Sequence, residues 1–376
     1  MSLNVVHVIR QYYPSVGGME DVVRNIASSQ HATGRQTASV VTLNRLFRNS
    51  GELLDSHDIV DGVPVTRLPY RGSSRYPLCP SVLREINRAD VVHVHGVDFF
   101  FDYLAATRLV HRRPLVVSTH GGFFHTEFAS RLKEIWFRTI TRASSHAYER
   151  IVATSENDGH RFRDIVPDSR LEVIENGVNT DKYAGRGREE INRTLIYFGR
   201  WSSNKGLLEA LDLIRVLREQ DGRWHLIIAG REYDFSLESL DREVRRRDLG
   251  DGTVTLEASP SDQRLSELMG QASYFLCLSR HEGFGLAAIE AMSAGLTPVL
   301  SDIPPFRKLK EASGIGLCAD ASAPEALAVH LQHLHDQGQA AHQERRDGAM
   351  TFARQYSWPR IADRYIQLYD TLGGPR

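Results

Sequence analysis

Cysteine is scarce in this chain. Cys79, Cys277 and Cys318 are the only three in 376 residues. Their wide spacing offers neither a disulfide framework nor a structural zinc pattern, and such usage fits a reducing compartment, the cytoplasm. Long apolar runs are absent too: none approaches the roughly 20 residues that span a bilayer. The opening Met1-Ser2-Leu3-Asn4-Val5-Val6 lacks the basic region and apolar stretch of a secretion signal. No segment repeats with a period of about 20–50 residues, which argues against a solenoid. No nucleic-acid motif is present, so no nucleic-acid partner is expected.

What is present describes an ordinary globular chain. Hydrophobic residues make up 41% and charged residues 25%, ordinary values for a globular protein. The length exceeds one core of usual size, so two domains are expected. Net charge is −1 but uneven: residues 1–150 hold 18 Lys+Arg against 13 Asp+Glu, and the remainder holds 28 against 34. The basic half suits an anionic partner such as a membrane surface or a lipid diphosphate. Scattered solvated charge would give the same count.

Strand-like apolar runs alternate with helix-like segments nearly throughout. They fall at 5–9, 40–43, 63–68, 91–94, 115–118, 151–153 and 171–174, then at 195–198, 224–229, 254–256, 274–278 and 298–300. Continuous rather than alternating apolar character predicts parallel strands covered on both faces, hence α/β domains. The polar, glycine-bearing stretch 181–190 separates two strand series that each start afresh. We therefore expect a first domain over 1–179, a second over 180–355, and a C-terminal segment 356–376. In that last segment Ile361, Tyr365, Leu368 and Leu372 form a helical apolar stripe that packs back toward the first domain.

Four constellations follow strands, where this architecture places ligands. The most informative is His281-Glu282-Gly283-Phe284-Gly285-Leu286, with Glu290 eight positions after Glu282. A strand ends just before it and a helix begins at Leu286. Glycines let the backbone approach a ligand, and the helix start aims N–H groups at an anion such as a phosphate. The second is Gly199-Arg200 with Lys205-Gly206, two cations bracketing a loop, which suits a diphosphate. The third is Ser118-Thr119-His120-Gly121-Gly122, a histidine at a strand end beside glycines. The fourth is Gly17-Gly18, a paired glycine turn into a helix; it lacks the spacing of the dinucleotide fingerprint, so no NAD site is expected. His93 and His95 are less telling. We read them as facing away from each other across their strand, with no cysteine or carboxylate to complete a set, and expect no metal.

Taken in order, these elements resemble the retaining glycosyltransferases of family 4, along essentially the whole chain. The resemblance implies the GT-B fold: two Rossmann-like, doubly wound α/β domains facing a central cleft. It implies that Arg200 and Lys205 hold the donor diphosphate, and that the backbone of Phe284, Gly285 and Leu286 meets the phosphate next to the sugar. Glu290 would hold the ribose hydroxyls and Glu282 the hydroxyls of the donor sugar. His120 would lie near the anomeric carbon, and Gly17 and Gly18 near the acceptor or donor phosphate. Glu282 and His120 are thus the candidate catalytic residues. No Asp-x-Asp occurs in the chain, so the metal clamp of the other main glycosyltransferase fold has no candidate, and no metal or cofactor is expected.

Within the family, the segment around His120 resembles bacterial α-mannosyltransferases of exopolysaccharide assembly. Those move mannose from GDP-mannose onto a polyprenyl-diphosphate-linked oligosaccharide. This implies a lipid-linked acceptor and a peripheral place on the inner face of the cell membrane. Residues 131–142, with Leu132, Ile135, Trp136 and Thr139 on one helical face amid basic residues, are the candidate for contact with anionic lipid. A UDP-sugar donor, a nucleotide-sugar 2-epimerase and a non-catalytic sugar-nucleotide-binding scaffold are the alternatives. A phosphorylase needs a lysine for pyridoxal phosphate, and of only five lysines Lys205 is already placed.

Overall fold

The computed structural model describes residues 2–47, 52–74, 76–121, 134–250 and 252–373. The chain forms two compact units, residues 1–177 together with 358–376, and residues 178–357. The first break falls two residues before the expected boundary. The polar stretch 181–190 is not a free linker: Gly185 N–H donates to Ser293 O at 3.1 Å and Gly187 N–H to Ala294 O at 2.7 Å, inside the second unit.

Unit 1 contains β1 (Leu3–Val8), β2 (Gln36–Leu43), β3 (His57–Val60), β4 (Val63–Leu68), β5 (Arg71–Ser73), β6 (Tyr76–Leu78), β7 (Val91–His95), β8 (Leu115–Ser118), β9 (Arg150–Ala153) and β10 (Leu171–Val173). Eight of them form one sheet in the order β10-β9-β8-β7-β1-β2-β4-β3; β5 and β6 form a separate ribbon. All neighbours in the large sheet are parallel except β3 and β4. The strand β3 is absent from the sequence reading. Its signal was Asp61-Gly62 between two β-branched runs, and both residues have positive φ, 49° and 81°, the backbone of a tight hairpin turn.

Successive side chains on a strand point to opposite faces, and here both faces are buried. Val6, Val92, Val94, Leu115 and Val117 pack with Phe100, Phe101 and Phe137 on one side. Val5, Val91, Val116 and Val152 pack on the other with Val22 and Ile26 of the helix Gly18–Thr33, and with Ile361, Tyr365, Leu368 and Tyr369. These last four belong to the C-terminal helix Trp358–Leu372. The face it covers also carries His7, His93 and His95. The expectation that His93 and His95 face apart is wrong: residues two apart on a strand share a face, and the two rings lie 3.9 Å apart.

Unit 2 contains β11 (Thr194–Trp201), β12 (His225–Glu232), β13 (Val254–Ala258), β14 (Tyr274–Cys277), β15 (Thr297–Ser301) and β16 (Leu317–Ala319). Their order is β13-β12-β11-β14-β15-β16, parallel throughout. The three-residue β16 is absent from the expected strands. The first strand of each unit therefore sits inside its sheet, β1 between β2 and β7, and β11 between β12 and β14. Each sheet reverses its winding direction there, and the loops leaving the two central strands diverge to leave a crevice at their carboxyl ends. No helix among the described residues is long and apolar enough to cross a membrane.

Because Ile361 is 3% exposed and packs against the sheet of unit 1, Ile361→Ala should cost about 2–5 kcal/mol. Urea denaturation should show a lowered midpoint for it, and little change for the exposed neighbour Arg360→Ala.

Candidate functional site

In unit 2 the crevice lies between the loops that follow β11 and β14. The first loop ends in a single 3-10 turn, Ser203–Lys205, and Gly206 then opens the helix Leu207–Gln220. Gly206 has φ of 69°, and a Cβ there would stand 2.1 Å from Leu278 O. Only glycine lets this turn press so closely against the end of β14. The contact brings Lys205 Nζ to 2.6 Å from Glu282 Oε1, with the two side chains 19% and 14% exposed. Ser279 Oγ donates to the same carboxylate oxygen at 2.7 Å. Burial, with Glu282 nearby, pushes the adjacent Cys277 thiol up to about 11. The predicted diphosphate cation and the predicted sugar-binding carboxylate are thus one ion pair, 77 residues apart in sequence.

Beyond Glu282 the chain turns through Gly285, φ 92°, into the helix Leu286–Ser293. A Cβ on Gly285 would meet the Phe306 ring at 2.6 Å, so this turn too is reserved for glycine. No side chain caps the helix, which leaves N–H groups of its first turn open to an anion. Phe284 is held by Tyr356, ring centroids 5.2 Å apart. Glu290 lies one turn into the helix. Its carboxyl is raised by burial and partly lowered again by Lys182, and its carboxylate has no ion-pair partner among the described residues. Lys182 itself pairs with Asp262 at 2.7 Å and lies 4.9 Å over the Tyr183 ring. These three residues around Glu290 were not picked out from sequence: Lys182 and Tyr183 lie in the stretch read as the domain boundary, and Asp262 carried no local signal.

Arg200 departs from expectation. It lies within β11, paired in register with Arg231, rather than in the loop. Its exposed guanidinium rests 5.4 Å over the Tyr233 ring, and no ion pair joins it to the Lys205–Glu282 pair.

In unit 1 the crevice lies after β1 and β7. Gly17 precedes the helix Gly18–Thr33 with extended backbone, φ −168°, and no side-chain cap. Neither Gly17 nor Gly18 has positive φ, so the pair is not required by turn geometry. His120 follows β8 in the left-handed region, φ 52°, and its Nε2 lies 3.1 Å from His95 Nδ1. The run Gly122 to His125 lies outside the described residues, as do Arg131, Leu132 and Lys133.

Behind His120 stands a buried polar cluster. His95 Nε2 lies 3.0 Å from His7 Nδ1, and His7 Nε2 lies 2.7 Å from Gln30 Oε1. His93 bonds Tyr369 Oη at 2.6 Å and Ser118 Oγ at 2.9 Å. Burial lowers His7 and His120 to about 4 and takes His93 and His95 well below the usual range. His7, His93 and His95 are close enough to share a metal ion. Every ring nitrogen of the three, however, already has a hydrogen-bond partner, and neutral imidazoles bonded to one another form a closed set. The signal for this cluster was legible in part: His7, His93 and His95 interrupt otherwise apolar strands, and buried polar groups require partners.

Residues 16–182 match the family model described as Glycosyltransferase Family 4, and residues 181–349 match the one described as Glycosyl transferases group 1. A GDP-mannose:cellobiosyl-diphosphopolyprenol alpha-mannosyltransferase of Xanthomonas campestris is 52% identical, over 100% of this chain and 98% of that protein. One of the same name from Komagataeibacter xylinus is 44% identical, over 99% and 94%. Among solved structures, a glycosyltransferase from Rickettsia africae aligns with TM-score 0.74 at 14% identity, over 100% of both chains.

Two outcomes follow from the geometry. Lys205→Ala and Glu282→Ala should each reduce turnover by about 10²-fold or more, with melting temperatures showing a folded protein; near-normal turnover in both would remove the pair from the site. These four histidines stay neutral in the folded state where the unfolded chain takes up protons, and burial lowers His111, His225, His335 and His342 in the same direction. Stability should therefore fall as pH drops from about 6.5 toward 4. Urea midpoints measured across that window should give a slope of more than one proton taken up on unfolding.

Proposed function

The chain belongs to the family 4 glycosyltransferases and has their GT-B fold, and from that membership we propose that it moves mannose from GDP-mannose onto a polyprenyl-diphosphate-linked oligosaccharide, with retention of anomeric configuration. The observation that carries the site reading is the meeting of Lys205 and Glu282 at the crevice of unit 2, beside an uncapped helix N-terminus. The donor and acceptor are supported by the full-length similarity to alpha-mannosyltransferases whose names specify GDP-mannose and cellobiosyl-diphosphopolyprenol.

In this reading the Lys205 ammonium and the N–H groups at Leu286 hold the diphosphate, and Arg200 swings from Tyr233 to join them. Glu290 accepts from the ribose hydroxyls, which suits a buried carboxylate that lacks a cation of its own. Glu282, oriented by Lys205 and Ser279, accepts from hydroxyls of the sugar. His120 lies beside the transferred sugar, and the Gly17–Gly18 turn lies near acceptor or donor phosphate. The bond from the anomeric carbon to the phosphate oxygen breaks, the acceptor oxygen bonds to that carbon on the same face, and its proton passes to the departing phosphate. Positive charge develops on the sugar and negative charge on the leaving group, which the lysine and the helix dipole stabilise. No metal ion is needed in this scheme.

A place against the inner face of the cell membrane follows from a lipid-linked acceptor. Ile135, Trp136 and Ile140 are 60%, 39% and 39% exposed, while Phe137 of the same segment is buried. An outward apolar face beside Arg138 and Arg142 is the chemistry that inserts into an anionic interface.

Incubation with labelled GDP-mannose and a polyprenyl-diphosphate cellobiose should give a mannosylated lipid, undiminished by EDTA. Consumption of a UDP-sugar instead, or formation of an epimeric nucleotide-sugar without acceptor, would overturn the assignment. Flotation with vesicles containing anionic lipid should carry the protein upward, and Trp136→Ala with Ile140→Ala should weaken it; unchanged flotation would remove this segment from the membrane contact.

A further inference from the structure

The hydrogen-bond chain behind His120 runs along the face of the unit 1 sheet that the C-terminal helix covers and ends in groups whose polarity is not adjustable. At its far end, Gln36 Nε2 lies 3.0 Å from Ile366 O and 2.6 Å from Asp370 Oδ1. Both partners are acceptors, and the other oxygen of Asp370 pairs with Arg35 at 3.1 Å. The atom facing them must therefore be the amide nitrogen, since the flipped amide would oppose oxygen to oxygen twice. That orientation turns Gln36 Oε1 toward Gln30 Nε2, at 2.9 Å. Gln30 is thereby oriented in turn, and its Oε1 faces His7 Nε2 at 2.7 Å.

An amide oxygen can only accept, so His7 carries its proton on Nε2. A neutral imidazole has one N–H, which leaves His7 Nδ1 bare; it accepts from His95 Nε2–H at 3.0 Å. By the same rule His95 Nδ1 is bare and accepts from His120 Nε2–H at 3.1 Å. Burial keeps all three rings neutral, and every donor along the line then meets an acceptor. The reversed sense would set two lone pairs against each other at the His7–Gln30 contact. His93 takes no part: its nitrogens go to Tyr369 and Ser118, and it only packs against the His95 ring.

We propose that this chain, anchored by Asp370 and the Ile366 carbonyl and passing through Gln36, Gln30, His7 and His95, fixes His120 as the Nε2–H tautomer, so that a bare Nδ1 is available to accept from a hydroxyl of the transferred sugar. Gln30, His7 and His95 are then positioning residues for the transfer reaction. The proposal rests on the placement of His120 beside that sugar. Nδ1 meets no partner among the described residues. A hydroxyl that donates to a bare nitrogen carries more electron density on its oxygen, which favours the positive charge that develops on the sugar ring. An N–H at the same position would withdraw density and oppose it.

The test is a pair of substitutions two rings away from His120. Gln30→Met removes the acceptor while keeping the length of the side chain, so nothing holds the proton on His7 Nε2. Gln30→Glu, as the neutral carboxyl, keeps a C=O acceptor facing His7 and replaces the lost N–H donor to Gln36 Oε1 with its O–H, and serves as the rescue. Long-range ¹H–¹⁵N spectra of the full chain labelled in histidine report which ring nitrogen bears the proton. Wild type and Gln30→Glu should show His120 protonated on Nε2, and Gln30→Met should shift population to Nδ1–H. With it, kcat should fall by about tenfold or more while KM for GDP-mannose stays within about twofold, and Gln30→Glu should recover most of the loss. A wild-type His120 protonated on Nδ1, or a Gln30→Met protein with unchanged tautomer, would overturn the relay. A shifted tautomer with unchanged kcat would overturn its link to transfer. Full activity in His120→Ala would instead sink the placement of His120 in the reaction and with it that link, while the spectra still decide the relay.

Discussion

A parallel sheet covered on both faces has no wet side, so clusters of polar groups inside it need hydrogen-bonded partners, and ligand chemistry collects at the carboxyl ends of its strands. The polar clusters of both units follow this constraint, while single groups such as Thr42 Oγ1 and Thr297 Oγ1 are buried without a partner among the described residues. In unit 1 it explains why three strand histidines and two glutamines occur together with two tyrosines of the C-terminal helix: any one of them alone would cost the desolvation of an unpaired buried group, about 1–3 kcal/mol. Satisfied as a network, they give the end of β8 a side chain with a defined orientation and proton position. The C-terminal helix is part of this arrangement, since Tyr365, Tyr369, Asp370 and the Ile366 carbonyl all come from it.

In unit 2 the same constraint yields an ion pair. Withdrawing Lys205 and Glu282 from water costs several kcal/mol per charge, and their attraction roughly repays it. The pair is therefore weak evidence for stability and better understood as preorganisation. Each group holds the other where a charged, hydroxyl-rich ligand would meet both, and Ser279 fixes the carboxylate further. The open first turn of the helix at Leu286 adds a partial positive charge that needs no side chain. Glu290, by contrast, sits one turn along with burial but without a cation of its own, an acceptor left for hydroxyl donors. Two glutamates eight residues apart on one short segment thus have different electrostatic surroundings, set by what the neighbouring loop brings to one of them.

The α/β character and the position of the C-terminal helix were readable because they depend on local pattern: apolar runs of three to six residues, and a 3.6-residue stripe ending at Leu372. The Lys205–Glu282 meeting was not readable as a contact, because it depends on β11 lying beside β14 while β12 and β13 lie on the far side. Arg200 was misplaced because cross-strand pairing with Arg231 extends β11 beyond its apolar run, a tertiary effect with no local signature. β3 was missed although Asp61-Gly62 announced it. The histidines of β7 were misjudged by assigning residues two apart to opposite faces, against the period of a strand.

The amino-acid sequence by itself determined the family, the alternation of strand and helix, and which residue types stand at the strand ends, since each follows from local spacing and side-chain chemistry. Only the tertiary structure decided which of those residues touch, which carboxylate is paired, and which nitrogen of His120 carries its proton. Those outcomes depend on strand order and on hydrogen bonds that join Asp370 to Gln36, and Gln36 through Gln30 to His7. The first of these joins residues 334 apart in the chain, and no local pattern encodes it.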